Sequence, residues 1–167
     1  MKRLVLKTVV AAMALAAFGV ASAQDIKEHT IKFAANAPEG HPAVVGMKKF
    51  VELVAAKSGG KIKVNLFLNG VLGSDQANVS SIKGGTLEMA VMNTGILASE
   101  AKELAIFDFP FLFANEKESD ALVDGPVGKK LHAKLEANGI IGLSYWELGY
   151  RQMTNSKRAL NKVEDIE

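Results

Sequence analysis

Across residues 30–146, strand-length apolar runs take turns with helical stripes, and few architectures accommodate that order. Residues 30–35 read as a strand, broken by Asn36-Ala37-Pro38. Pro42 suits the first turn of a helix. Val44, Met47, Val51 and Val54 then recur at spacings of three and four, so residues 42–57 form an amphipathic helix that Ser58-Gly59-Gly60 stops. Residues 61–68 alternate apolar and polar side chains as a strand with one better-buried face does, and Asn69-Gly70 turns the chain. Ser74-Asp75 opens a helix with an oxygen acceptor for the free amides and an acid at the positive end of the dipole. That helix runs through Val79 and Ile82 to Gly84-Gly85, and residues 87–92 form the next strand.

A short helix is expected at 97–103, then helices at 116–123 and 127–137, the last carrying Val127, Leu131 and Leu135 at i, i+4 and i+8. Gly139 closes it, and the apolar run 140–146 reads as a further buried strand. The four phenylalanines of Phe107-Asp108-Phe109-Pro110-Phe111-Leu112-Phe113 could stack on a ligand. Pro110 forces extended backbone, however, and the reading preferred for the rings is that they plug the core where the chain crosses the sheet.

This order implies an α/β domain with a mostly parallel sheet, flanking helices and right-handed crossovers. Such sheets bind ligands outside the carboxyl ends of their strands. Asn36, Asn93 and the segment holding Arg151 each follow a strand end, and Asp75 opens the helix after the second strand. Arg151 stands beside Gly149, aromatic residues and small hydrogen-bonding side chains; its planar fork of donors fits a carboxylate bidentately, which makes it a candidate anion clamp. Asp75 read alone is also a simple helix cap, and His41, ahead of Pro42, could touch a ligand or cap its helix.

Met1-Lys2-Arg3, an apolar run to Val20 and Ala21-Ser22-Ala23 before Gln24 have the form of a cleavable secretory signal over residues 1–23, with a membrane anchor as the rival. Of 20 basic and 18 acidic side chains, Lys2, Arg3 and Lys7 leave with that signal, so 17 face 18 in the remaining 144 residues. A near-neutral chain gains little from phosphate neutralisation, and no nucleic-acid partner is expected. The chain has no cysteine, so disulfide and thiolate chemistry are excluded, in keeping with a periplasmic address. No phosphate loop, G-x-S-x-G elbow or metal-spaced cluster is present; no cofactor and no metal are expected. Glu88 and Glu147 could be imagined as an acid/base pair, but Glu88 lies near a strand start and so at the opposite rim.

Seven stretches occur in a telling order: Phe33-Ala34-Ala35-Asn36, Gly40-His41-Pro42, Ser58-Gly59-Gly60-Lys61-Ile62, Leu72-Gly73-Ser74-Asp75, Ile82-Lys83-Gly84-Gly85-Thr86-Leu87-Glu88-Met89, Phe109-Pro110-Phe111-Leu112-Phe113 and Gly149-Tyr150-Arg151-Gln152-Met153-Thr154-Asn155. Together they closely resemble the substrate-binding proteins of TRAP transporters, the family named for C4-dicarboxylate uptake. The resemblance implies a two-lobed periplasmic receptor, monomeric when full length, that closes over an organic acid and delivers it to the transporter's membrane subunits.

In relatives that bind sialic acid, the positions matching Asn36, Asp75, Asn93 and Arg151 line the cleft, the arginine holding the ligand carboxylate. Those relatives carry an acid where this chain has Asn93, so their polyhydroxylated ligand is not carried over. Trp146 and Tyr150 would suit a ligand with an apolar or aromatic body. The resemblance also implies that family members are about twice as long and that their principal carboxylate-binding arginine lies shortly past Glu167, in a strand that this sequence does not reach. The chain is therefore expected to hold the signal (1–23), the first lobe (24–148) and the start of the crossover (149–167), with the second lobe largely absent. The expected role is capture without chemistry. A sensory module that reports the same ligand to a signalling receptor is one rival, and a periplasmic α/β hydrolase or lyase another.

Overall fold

The computed structural model describes residues 26–150 and 154–166, so the expected signal peptide and Arg151 lie outside the described residues. Three parallel strands, β1 (His29–Ala35), β2 (Ile62–Phe67) and β3 (Met89–Val91), form a sheet in the order β2-β1-β3. Phe33 stands opposite Leu66 on one side and Met89 on the other, so all three strands end at a common rim. The helices are α1 (Pro42–Lys57), α2 (Asp75–Lys83), α3 (Glu116–Val123) and α4 (Pro126–Glu136). The α/β class and the parallel pairing expected from the alternation are those observed.

β1 is central, and Phe33, Ala34 and Ala35 at its carboxyl end are almost fully buried. Small residues there let neighbouring backbone approach, while Phe33 and Ala35 point to one face with the period of two that a strand imposes. Val44 and Met47 of α1, both fully buried, pack on that face together with Val64. α1 starts where sequence places it: Pro42 sits in the first turn, and His41 Nδ1 accepts from the Ala43 N–H at 3.2 Å. His41 is thus engaged as a cap. A second cluster gathers Val79 of α2, Ala101, Leu104, Leu131 and Leu135 of α4, and Ile140. No helix among the described residues is long and apolar enough to cross a membrane.

Four expectations need correction. The helix at 97–103 is instead a pair of 3-10 segments, Thr94–Ser99 and Lys102–Asp108. Ala101 between them takes an extended conformation and is buried, so core contact bends the chain where local propensity would have continued it. Second, the phenylalanines do not all plug the core. Phe107 packs against it, but Phe109 is 65% and Phe111 96% exposed. Pro110 and Phe111 occupy the middle of a turn with Phe111 at φ 59°, the positive value that the third residue of a type II turn requires, and this throws the ring outward.

Third, residues 140–146 form no ladder; the run is held at its start by the Ile140 N–H, which donates to the Leu135 carbonyl at 3.1 Å, and beyond that by side chains. Ile140 enters the second cluster, Tyr145 donates to the Gly128 carbonyl at 3.2 Å and stacks on His132 with centroids 4.4 Å apart, and Trp146 reaches Phe33. Fourth, Val127 of the predicted stripe lies in the first turn of α4 and is exposed, whereas Leu131 and Leu135 are buried.

Candidate functional site

The parallel register brings the residues after β1, β2 and β3 to one rim. Asn36 follows β1, and its Nδ2 donates to Asp75 Oδ1 at 2.9 Å, across 39 positions of sequence. The cap of α2 is Ser74, whose Oγ accepts from the Ala77 N–H at 3.3 Å, so the Asp75 carboxylate is not consumed in capping. Partial burial raises the Asp75 pKa above its ordinary value, because desolvation disfavours the charged form. Asn69 and Gly70, after β2, both have positive φ (54° and 68°), the signature of a type I′ turn. The Gly70 N–H donates to the Ala35 carbonyl at 3.3 Å, which carries the end of β2 up against the end of β1. A Cβ on Gly70 would stand 2.7 Å from Asn36 Oδ1, so the missing side chain is what leaves room for the Asn36 amide.

Asn93, after β3, precedes the first 3-10 segment, and its exposed side chain makes no capping bond. Two residues on, the Asp108 carboxylate lies against Gly95 and occupies the space that any side chain there would need. Trp146 is placed differently from the asparagines. Its ring meets Phe33 edge-on at 6.4 Å and abuts Gly46 of α1, where a Cβ would come within 3.0 Å, and its Nε1 donates to Ser144 Oγ at 2.9 Å. It remains 37% exposed.

Tyr150, next to Arg151, faces Asn115, Glu116 and Lys117 across an open depression. Desolvation first, then Glu116, Glu118, Glu147 and Asp120, raise the Tyr150 pKa; desolvation, Glu116 and Asp120 do the same for Glu147. Glu88 immediately precedes β3 and accepts from the N–H of Lys32, in the middle of β1, at 2.8 Å.

The structure therefore joins Asn36 to Asp75 and sets Asn93 at the same end of the sheet. Sequence reasoning missed Gly70 and Asp108. Gly70 was legible only as half of a turn signal, and Asp108 was hidden in an aromatic run, where its single charge was the available clue. Amides so arranged can both donate and accept hydrogen bonds, and carboxylates can accept them.

An α/β layer that gathers polar side chains at its carboxyl rim is the architecture of a small-molecule-binding lobe. Comparison with known proteins narrows this. Residues 33–167 match the family described as bacterial extracellular solute-binding protein, family 7 (DctP). The chain is 30% identical over 161 residues, 96% of its length and 49% of the relative's, to the 2,3-diketo-L-gulonate-binding periplasmic protein YiaO of Escherichia coli. Among solved structures, a TRAP periplasmic solute-binding protein from Ochrobactrum anthropi, with its C-terminus bound in the ligand-binding pocket, is 52% identical with a TM-score of 0.80, over 84% of this chain and 44% of that one. The sugar-acid-binding protein DctPAm from Advenella mimigardefordensis, in complex with galactonate, is 44% identical with a TM-score of 0.81, over 85% and 46%.

The chain belongs to the DctP family of extracellular solute-binding proteins. It spans about half the length of the curated relatives it matches, or less. The named relatives are all binding proteins, and those from Escherichia coli and Ochrobactrum anthropi are named as periplasmic.

Proposed function

We propose that this chain is the first lobe of an extracytoplasmic receptor that captures a small organic acid and hands it unchanged to a TRAP-type membrane transporter. The relatives' ligands, galactonate and 2,3-diketo-L-gulonate, are carboxylates, which supports the chemical class. Export to the periplasm would use residues 1–23 as a cleavable signal, residues 24–148 would form the lobe, and 149–167 would begin the crossover to a second. The observation that carries the reading is the rim itself: three parallel strands end together, and the Asn36–Asp75 hydrogen bond sits at that end.

In this reading Arg151 holds the carboxylate, Asn36, Asp75 and Asn93 bind the remainder, and Trp146 floors the site. Closure by hinge motion would exclude water from those contacts. Arg151→Ala is expected to weaken acid binding by about 2–5 kcal/mol, the cost of leaving a buried charge unpaired. That is on the order of 30-fold to several thousand-fold in dissociation constant. Titration of the protein with small carboxylates measures it, and a loss below about threefold contradicts the assignment.

A further inference from the structure

We infer that α2 carries an internal water site: one ordered water, bound by Asn78 and Asp75, ties the rim to the helix that supports it. The receptor reading does not require this water, and the inference stands whichever ligand the rim takes.

α2 buries Asn78 and Val79, and Ile82 one turn on packs against the second cluster. At 1% exposure Asn78 is as enclosed as Leu104 of that cluster. An apolar side chain of similar size would serve packing at such a position, whereas an amide brings polar atoms that burial strips of solvent. The Asn78 Oδ1 finds no donor among the described residues. Buried polar atoms without a partner are rare, and where the protein supplies none an ordered water is the usual donor.

Asp75 stands three residues earlier on the same face of α2, and side chains so spaced are roughly 5–6 Å apart at Cβ. Its Oδ1 accepts from Asn36, and Ser74 does the capping, so Oδ2 receives no bond from the described residues. None of their lysines or arginines forms an ion pair with it. Two acceptors on one helix face thus lack donors. A water has two protons: one to Asn78 Oδ1 and one to Asp75 Oδ2 satisfies both, and two bonds of about 2.8 Å span the interval. Partial burial of the Asp75 carboxyl, which raises its pKa, accords with an oxygen turned inward. Asn78 is then a positioning residue that acts on Asp75 through the water.

The test is proton NMR of the protein without ligand, reading cross-relaxation with long-lived water. The expected result is one water in contact with both the Asn78 side-chain amide and the Asp75 β protons. In Asn78→Leu, close in shape and apolar, the contact at Asp75 should vanish. The Asp75 carboxyl should also titrate at least about half a unit higher, about threefold in proton affinity, because a hydrogen bond to its charged form is gone. Val79→Ala disturbs the same core without removing a polar group, and should leave both readings as they are.

Absence of a long-lived water at Asn78 in the unsubstituted protein overturns the inference without any variant. So does an Asp75 titration that Asn78→Leu leaves unmoved, or that Val79→Ala moves equally, since Asn78 would then act through packing alone. Failure of every acid to bind would sink the receptor reading and leave the water site standing.

Discussion

Gly70→Ala is the substitution whose effect follows most directly from the geometry of the rim. Two costs add. Gly70 has φ 68°, in the left-handed region, where an L side chain is disfavoured by roughly 1–2 kcal/mol. The new Cβ would also lie 2.7 Å from Asn36 Oδ1, closer than such contacts occur, so the amide must swing away. Moving it breaks the 2.9 Å bond to Asp75, worth about 0.5–1.5 kcal/mol at a solvent-accessible position. The sum is about 1.5–3.5 kcal/mol, which in a chain of this size lowers Tm by roughly 4–12 °C.

A double-mutant cycle separates the two costs. In an Asn36→Ala background the collision and the hydrogen bond are both gone, and only the backbone cost of Gly70→Ala remains. Urea unfolding followed by circular dichroism should therefore give a coupling of about 0.5–1.5 kcal/mol between the two positions. A coupling below about 0.3 kcal/mol, within ordinary additivity error, would show that Gly70 does not hold Asn36 in place and would refute the reasoning.

Three further outcomes are expected. Met47→Ala empties a fully buried site under β1 and should cost about 2–5 kcal/mol by chemical denaturation. Burial lowers the His132 pKa below its ordinary value, so the folded state favours the neutral ring stacked on Tyr145. The unfolded chain then binds the proton more readily: the stabilisation is complete above the unfolded pKa of 6.5 and is lost as pH falls through the lowered folded value. Melting curves from pH 7 to pH 5 should show a decline in Tm that His132→Phe, which keeps the stack, makes shallower.

Asp75 has the opposite sign, since its raised folded pKa means that stability is lost as pH rises through that value from below 3.8. Asp75→Asn, which keeps an acceptor for Asn36, should leave Tm at neutral pH equal or higher, and a fall would contradict the burial argument.

How far sequence reaches in this protein depends on whether the deciding contact is local. α1 is bounded by Pro42 and Ser58 as expected, and β2 by its own alternation, because capping groups and side-chain period act within a few residues. The rim was legible at one remove: once helices and strands alternate, parallel pairing forces Asn36 and Asn93 to the same end, though they are far apart in the chain. That Asn36 would meet Asp75 was not legible, since no spacing rule links positions joined only by the turn at Gly70. Residues 140–146 failed for a related reason. Their apolarity serves Tyr145 and Trp146, which anchor the segment to α4 and to β1, and among the described residues the run pairs with no strand. Phe111 failed because a turn, which needs only Pro110 and a residue accepting positive φ, prevailed over hydrophobicity.

The most direct measurement is an amide NMR map of the protein titrated with small carboxylates, with the acid recovered and identified afterwards. The account predicts shifts concentrated at Asn36, Gly70, Asp75 and Asn93, their loss in Arg151→Ala, and an acid returned chemically unchanged. Shifts gathered instead around Lys61, Ile62 and Glu88 at the amino ends of the strands, or conversion of the acid, would contradict it.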